Sequence, residues 1–336
     1  MSTFLLRPMR SLLSTPRLGP RLAPRSARAG SSIGLATNGH RVGDRESADT
    51  LELAHTFVQG LLEPYWALNP TSLAAAEMLT EQYPNDDLVY DHLAFRTLGV
   101  PGLGIDSLAP TFLELGWRAR DELRFPAKKL RARWFAPPCP SLPRIFISEL
   151  LVGEVDAAAR EAIAATLGAT PRTLLARHSL LAAAGGGTPW PAPSRAQYAA
   201  VAAKSEYGAW VLANGAALNH TTLSVHAMRD VAGLDDLIGR LQGAGFALNA
   251  EGGAAKVSPD GLLRQASTRA DARLFSFSCG ASALVPTSYI EFAERLVLPE
   301  FQGLAEDQVQ EHHRREGFEV GNADKIFEST YSSKAA

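Results

Sequence analysis

One order of predicted secondary-structure elements occurs twice along this chain, and this repeat constrains the fold more than any other feature. A strand over 88–100, a helix over 105–117 and three further strand candidates form a β-α-β-β-β series. The series returns with a strand over 220–228 and a helix over 234–245. The three strand candidates that follow in the second copy are FALNAEGG, LLRQAST and SYIEFAERL.

The spacing inside the two copies agrees closely, although few residues are identical. From His92 to the helix end at Gly116 is 24 residues, and from His220 to the helix end at Gly245 is 25. We therefore predict an α+β fold in which two paired βαβββ modules form a curved sheet around an open cleft. In such a sheet, the first strands of the two modules face one another across the cleft.

The segments outside the modules are predicted to be helical. Helices over 52–68 and 72–83 would form an N-terminal cap, and Pro110 is expected in the first turn of the helix over 105–117. The Ala-rich segment before module two would form a helical insert broken by a loop at 182–193. The predicted organisation is a leader over 1–43 and a single domain over 44–331, divided into module one at 85–152, the helical insert at 153–215, module two at 216–300, and a C-terminal helix and tail at 301–331.

The first 43 residues differ sharply in charge from the rest of the chain. They contain seven Arg and no Lys, Asp or Glu, which leaves 26 basic and 35 acidic residues and a net charge of −9 for the remainder. An Arg- and Ser-rich leader without acidic residues is typical of an organellar transit peptide, and the alternative is a disordered tail. A nucleic-acid-binding arm is not expected, because the body to which the leader is attached is acidic. The leader lacks the apolar core of a secretory signal, which leaves plastid or mitochondrion as destinations.

Composition excludes several other classes. At 46% apolar and 20% charged residues the chain is ordinary globular protein, and its apolar runs end well before the ~18 residues of a membrane span. The two cysteines, Cys139 and Cys279, are too few for a disulfide framework and lack the spacing of a zinc site. No pattern in the sequence predicts an oligomeric state.

Two histidines and one glutamate form the candidate metal site. His92 and His220 occupy matching positions on the first strands of the two modules, and Glu291 lies on the last strand of module two. Two imidazoles and one carboxylate bind one face of an octahedral metal and leave three positions open, an arrangement that favours non-haem Fe(II). His226 is an alternative to His220 because six residues along a strand return to the same face. The distance to the following helix favours His220.

Glu149 is a further candidate on the last strand of module one. We interpret it as the repeat counterpart of Glu291 and therefore as a possible fourth ligand. The alternative is an ion pair with Arg144 or Arg133. A fourth protein ligand would favour a metal-dependent isomerase or lyase over an oxygenase.

Arg96 is the candidate for binding an anionic substrate. It lies four residues after His92 on an alternating strand, so it points to the same face about 13 Å further along. A guanidinium there favours a substrate that chelates the metal at one end and presents a carboxylate at the other. The alternative is an ion pair with one of the nearby carboxylates, Asp91, Glu149 or Glu291. Neutral hydrogen-bond donors to the same substrate are predicted from LLRQAST, namely Gln265, Ser267 and Thr268.

Five segments of the chain together resemble one enzyme family. DHLAFRT, LNHTTLSVH, LLRQAST, YIEFAER and GFEVGNADKIFEST are similar to motifs of the 2-oxoadipate dioxygenase/decarboxylase family, also called D-2-hydroxyglutarate synthase, which has plant members. The resemblance extends from about residue 50 to 331. The family is itself distantly similar to the vicinal-oxygen-chelate dioxygenases. Carried onto this chain, the resemblance implies that His92, His220 and Glu291 are metal ligands and that Arg96 binds the substrate carboxylate.

The resemblance also implies an activity and a location. It implies an Fe(II) enzyme that uses O2 to decarboxylate and hydroxylate 2-oxoadipate, a 2-oxo dicarboxylic acid, giving D-2-hydroxyglutarate and CO2 in lysine catabolism. Similarity to plant members favours the plastid over the mitochondrion. Two other classes remain open, namely a metal-dependent isomerase or lyase on the same scaffold, and a non-catalytic organellar protein with a relict site.

Overall fold

The structure, a computed structural model, describes residues 40–82, 88–168, 170–171, 175 and 187–331, with side chains from residue 48 onward. The predicted leader therefore lies outside the described residues, except that the first helix already begins at His40. The α-helices are α1 His40–Leu68, α2 Pro70–Gln82, α3 Ile105–Glu114, α4 Ala157–Leu167, α5 Arg195–Ala202, α6 Glu206–Asn214, α7 Leu234–Gly243 and α8 Val320–Ile326. The strands are β1 Tyr90–Leu98, β2 Arg118–Phe125, β3 Leu130–Ala136, β4 Arg144–Leu150, β5 Ala217–Ser224, β6 Lys256–Val257, β7 Leu263–Ser267, β8 Ala272–Ser276, β9 Ser282–Pro286 and β10 Tyr289–Arg295.

One eight-stranded sheet organises the fold. Its strand order is β2-β3-β4-β1-β5-β10-β7-β6, with an antiparallel β1–β5 pair where the modules meet. On either side of this pair the first strand of a module runs parallel to its last strand, β1 to β4 and β5 to β10. The strand order is therefore the same in both halves when read outward from the centre. The predicted α+β class with two paired modules is confirmed.

Both faces of the central strands are covered. In β1, Leu93 and Phe95 pack into an apolar cluster with the cap helices, α3 and α7. Ala94 and Leu98 point the other way, into a second cluster with the insert helices α4 to α6. Because alternate side chains of a strand point to opposite faces, β1 and β5 are buried along their whole length. Polar side chains on these strands therefore lie in the interior.

Helix α3 shows how the first module is held together. It buries Ile105, Leu108, Ala109 and Phe112 along one face, the 3–4 residue spacing expected of an amphipathic helix. The helix begins after Gly104, whose φ of 85° favours glycine. Pro110 consequently lies in the second turn and not in the first as predicted, where its missing N–H removes one helical hydrogen bond.

Module two departs from the prediction in three places. FALNAEGG is not a strand; it makes one isolated bridge, Leu248 with Thr268, and turns at Gly252 and Gly253, which have positive φ. The strand predicted over 220–228 ends at Ser224. An unpredicted hairpin, β8–β9, lies between β7 and β10 and buries Phe275 and Val285.

The predicted cap and insert are helical in the described ranges. Within the part of the chain that the structure describes, no helix combines the length and apolar character that crossing a bilayer requires. The predicted loop at 182–193 falls partly outside the described residues, which resume at 187 without regular structure.

Candidate metal centre

His92, His220 and Glu291 lie on three adjacent strands, β1, β5 and β10, and converge at the centre of the sheet. One ligand atom from each residue lies within 4.8 Å of the others. The carboxylate of Glu291 is 3.2 Å from Nε2 of His220 and 3.7 Å from Nε2 of His92. All three are at least 95% buried. Among the described residues this is the one group of three such ligands.

The charges at this centre suit a cation. Burial raises the pKa of Glu291, although the charge of His92 and a hydrogen bond from Gln265 oppose this rise. Burial, assisted by the charges of His92 and Arg96, holds the pKa of His220 well below its usual value. His220 is therefore a neutral imidazole, the form that ligates metals, and a divalent ion would supply the positive charge that buried Glu291 needs. The donor set thus fits a 2-His-1-carboxylate metal site.

Asp91 holds the far side of the His92 ring. Its Oδ1 lies 2.7 Å from His92 Nδ1, and Arg295 donates to both of its oxygens at 2.6 and 2.9 Å. Burial opposes the charged form of Asp91, but Arg295 and Arg144 keep its pKa well below the usual range. Thr222 Oγ1 lies 3.0 Å from Nε2 of the same ring. From the sequence, Asp91 was expected only as an alternative ion-pair partner of Arg96.

His220 has a similar but uncharged neighbour. Asn219 Oδ1 lies 3.2 Å from His220 Nδ1, and the Tyr289 ring stacks on the imidazole with centroids 4.7 Å apart. Phe318, from the segment before α8, packs edge-on against His92 at 4.8 Å. The signal that sequence reasoning missed is an Asp or Asn directly before each histidine.

Arg96 is a buried cation without a carboxylate partner. Its side chain donates to Thr330 Oγ1 at 2.8 Å and to the Phe327 carbonyl at 3.0 Å. Its guanidinium lies over the rings of Tyr207 and Trp210, 4.9 and 5.3 Å from their centroids. Its Nε has no partner in the described structure, and no described carboxylate lies within salt-bridge distance. The alternative of an ion pair is therefore not observed.

Gln265 and Ser267 face the same region but already have protein partners. Gln265 donates to Glu291 Oε1 at 2.6 Å and accepts from Asn322 at 3.0 Å. Ser267 shares a hydrogen bond with Ser329 at 2.8 Å. The C-terminal segment from Phe318 to Thr330, which sequence reasoning did not place at the site, thus closes over it.

His226 does not join the site. Strand β5 ends two residues earlier, and His226 lies in a 3-10 turn at Val225–Ala227. There its Nε2 is 3.2 Å from Glu311, and its Nδ1 accepts the Arg295 backbone N–H. The argument that six strand residues return to one face fails because the strand does not continue.

Glu149 is not a fourth ligand, and its partner is neither of the predicted arginines. It accepts from Arg131 at 2.5 Å and from the backbone N–H of Ile105 at 2.7 Å, where it caps the start of α3. The interpretation of Glu149 as the counterpart of Glu291 is also wrong.

Strand register identifies the actual counterpart. In module two His220 pairs with Tyr289, and Glu291 follows two residues later. In module one His92 pairs with Arg144, so the corresponding residue is Phe146. Phe146, whose phenyl ring cannot ligate a metal, therefore occupies the repeat position of Glu291.

Comparison with known proteins identifies one matching family. The sequence profile of the 2-oxoadipate dioxygenase/decarboxylase family matches residues 57–308. A chloroplastic/amyloplastic 2-oxoadipate dioxygenase/decarboxylase from Oryza sativa subsp. japonica is 48% identical over 82% of this chain and 78% of its own length. A chloroplastic protein of the same description from Arabidopsis thaliana is 43% identical over 96% and 90%. The crystal structure of hydroxyglutarate synthase from Oryza sativa in complex with 2-oxoadipate aligns with a TM-score of 0.82 at 43% identity, covering 93% of this chain and 99% of that one.

Proposed function

Because the chain belongs to the 2-oxoadipate dioxygenase/decarboxylase family, we propose that it is an Fe(II) enzyme acting on 2-oxoadipate and O2. The products are D-2-hydroxyglutarate and CO2. The observation that carries this proposal is the convergence of His92, His220 and Glu291 in the buried centre of the sheet. Bound iron would supply the Lewis-acid and redox chemistry toward the 2-oxo acid and O2.

The three ligands define where the reaction takes place. His92, His220 and Glu291 would hold the ion through two imidazoles and one carboxylate, a set of three ligands that would leave coordination free for a 2-oxo acid and O2. The hydrogen bond from Gln265 holds Glu291 Oε1, and the ring contacts of Tyr289 and Phe318 restrict the imidazoles. Ligands that are held before substrate arrives need no reorganisation during the reaction.

Arg96 binds the distal carboxylate of the substrate. A buried guanidinium with an unpartnered Nε, and with no described carboxylate within salt-bridge distance, favours an incoming anion. The aromatic rings beside it restrict its orientation, so its fork can bind a carboxylate through two hydrogen bonds. Fixing this end places the substrate carbon chain against the metal face, a positional effect that supplies several kcal/mol toward catalysis in general. Ser267 is proposed as a neutral contact to the same substrate.

The surroundings exclude water from the site. All three ligands and Arg96 are buried, and the segment from Phe318 to Thr330 covers them. In a water-poor site the Arg96–carboxylate interaction is stronger than in solution. Exclusion of water also protects reactive species from side reactions.

The two other classes considered from the sequence have less support. A metal-dependent isomerase or lyase with a fourth protein ligand is disfavoured, because Phe146 occupies the repeat position of Glu291. A non-catalytic role is disfavoured by the complete ligand set.

We place the enzyme in the plastid, in lysine catabolism. The Arg-rich leader over 1–43 supports import into an organelle, and both plant relatives are named chloroplastic. Fusion of residues 1–43 to a fluorescent protein tests the location. A mitochondrial signal would contradict it.

The decisive experiment loads the metal-free protein with Fe(II) under anaerobic conditions, adds 2-oxoadipate and then admits air. We expect CO2 and D-2-hydroxyglutarate in equal amounts, with no separate 2-oxo acid required. Loading with Mn(II) or Zn(II) under the same conditions tests whether iron is the active metal.

A matched control is His220→Ala, which removes one ligand, beside His312→Ala, which removes an exposed histidine. Only the first should abolish turnover. Wild-type protein that binds iron but leaves 2-oxoadipate unchanged would refute the substrate assignment, and turnover of a different 2-oxo acid would keep only the metal chemistry.

A further inference from the structure

The two histidine ligands are each preceded by a residue that strand pairing leaves unopposed. We propose that Asp91 and Asn219 are positioning residues that a repeated β-bulge turns onto the imidazoles, so that both histidines present Nε2 to the metal. This inference rests on the proposed metal site and assigns the elements that orient it.

The first bulge is in β1. Tyr90 pairs with Leu223, whereas His92 pairs with Thr222, so Asp91 is an extra residue opposite β5. An extra residue interrupts the alternation of a strand and re-aims the side chains beside it. Asp91 and His92, which would otherwise point to opposite faces, consequently meet through Oδ1 and Nδ1 at 2.7 Å.

The second bulge is in β5 and has the same form. Ala94 pairs with His220, whereas Phe95 pairs with Leu218, so Asn219 is the extra residue on this strand. Its Oδ1 again meets the Nδ1 of the next residue, at 3.2 Å. The two bulges lie on opposite strands of one antiparallel pair, and each restores the register that the other shifts.

The bulges occupy equivalent places in the two modules. The parallel ladder of module one begins at His92, paired with Arg144, and that of module two begins at His220, paired with Tyr289. In each module the histidine is therefore the first residue after the bulge and the first residue of the ladder. A feature repeated at equivalent positions belongs to the architecture of the site and not to one local irregularity.

The orientation of the rings follows from these contacts. Each Nδ1 faces an Asx oxygen, while each Nε2 faces the carboxylate of Glu291, at 3.7 Å for His92 and 3.2 Å for His220. The Thr222 hydroxyl also lies 3.0 Å from Nε2 of His92, where a bound metal would replace it as the partner of that nitrogen. With a cation bound at Glu291, an oxygen acceptor at Nδ1 would hold the ring proton there and leave the Nε2 lone pair for the metal.

The two positioning residues differ in charge. Asn219 is the better one to replace, because it is neutral and its loss leaves no buried charge without a partner. Asp91 also pairs with buried Arg295, so replacing it leaves a buried cation without its partner. The Nδ2 of Asn219 has no hydrogen-bond partner in the described structure, and the contact of Oδ1 is with His220. Replacing Asn219 therefore removes the contact under test and little else.

The test compares Asn219→Leu, which keeps the branched shape and removes the acceptor, with Asn219→Asp, which keeps an acceptor. Co(II) binding to the metal-free full chain is measured under anaerobic conditions by competition with a chelator and by visible absorption. We expect Co(II) affinity to fall roughly 10- to 100-fold in Asn219→Leu. We expect Asn219→Asp to remain near wild type. Thr287→Val, which removes a buried hydroxyl without a partner, is the matched control and should bind Co(II) normally.

A second measurement does not depend on any variant folding. In Zn(II)-loaded wild-type protein labelled with 15N-histidine, long-range 1H–15N spectra should show the proton of both His92 and His220 on Nδ1. A proton on Nε2 of His220, or an Asn219→Leu variant that binds Co(II) within threefold of wild type, would overturn the inference. Wild-type protein that is folded but binds no Co(II) would instead overturn the proposed metal site itself.

Discussion

The proposal that the substrate carries a distal carboxylate depends mainly on one side chain, Arg96. It is about 1% exposed, lies among aromatic rings and has no described carboxylate within ion-pair distance. Burying a guanidinium in this way is costly unless an anion arrives to pair with it. We therefore expect turnover to depend on the distal carboxylate of the substrate.

Replacing Arg96 with Met should weaken transition-state binding of 2-oxoadipate by about 2–5 kcal/mol, a loss of roughly 30- to 5,000-fold in kcat/KM. The reason is the lost distal-carboxylate contact. Steady-state kinetics with 2-oxoadipate and with 2-oxohexanoate, which lacks that carboxylate, separates this contact from general damage. Equal losses on both substrates would show that Arg96 does not bind the distal carboxylate.

Glu311 gives a pH dependence at the residue scale. Burial opposes its charged form, but the hydrogen bond and charge of His226 and the charge of Arg144 lower the pKa of Glu311 to about 2. A carboxyl whose pKa is lowered on folding stabilises the fold above its unfolded value of about 4.3, and this stabilisation is lost as the pH falls toward 2.

The free energy of unfolding of wild type should therefore exceed that of Glu311→Gln near pH 5, and the gap should shrink between pH 4.5 and 2. Denaturant titrations at several pH values measure the gap. Asp307→Asn, at an exposed carboxyl nearby, serves as the control. A gap that does not change with pH would contradict the ion-pair account.

At the scale of elements, Phe112 joins several parts of the first module. Its ring lies 5.5 to 5.9 Å from those of Phe57 in α1, Phe95 in β1 and Trp117 just before β2. It is completely buried on the apolar face of α3. The Phe112 ring thus connects the cap helix α1, helix α3 and the sheet.

We expect Phe112→Ala to destabilise the protein by about 3–5 kcal/mol, since it leaves a cavity among three rings. Phe112→Leu should cost less because it fills most of that space. Urea unfolding measures both. A loss below about 1 kcal/mol for the alanine variant would mean that the surrounding rings close the cavity.

Elements whose positions follow from a local residue pattern were predictable from the sequence. Features that depend on the register between paired strands were not. The alternation in β1 and the buried face of α3 are properties of consecutive residues, so their positions followed directly. The role of Glu149 depended on how β4 aligns with β1, a register that no local pattern fixes. The bulges at Asp91 and Asn219 are invisible in sequence for the same reason. His92 and His220 were predictable because the repeat relates their positions, whereas Glu291 was predicted from its place on the last strand of module two.

At the scale of the whole molecule, the proposed metal site links the two modules. His92 comes from module one, whereas His220 and Glu291 come from module two, and β1 and β5 meet between them. An ion bound only by the folded state stabilises it by mass action, by about 2.7 kcal/mol at a free concentration of 100 times Kd.

Removing the metal should therefore lower the melting temperature, and restoring Fe(II) or Co(II) should recover it. Calorimetry with and without a chelator measures the shift. His220→Ala should melt at the same temperature under both conditions. A melting temperature of wild type that the chelator does not change would indicate that the ion contributes nothing to holding the modules together.

The division of ligands between the modules has a further consequence. If the chain were cut within the insert, one fragment would carry His92 alone and the other would carry His220 and Glu291. Neither fragment would have the three ligands that the intact sheet provides. Tight iron retention would then return only on complementation of the two pieces. Tight binding of the ion would thus indicate that the two modules have reassembled correctly.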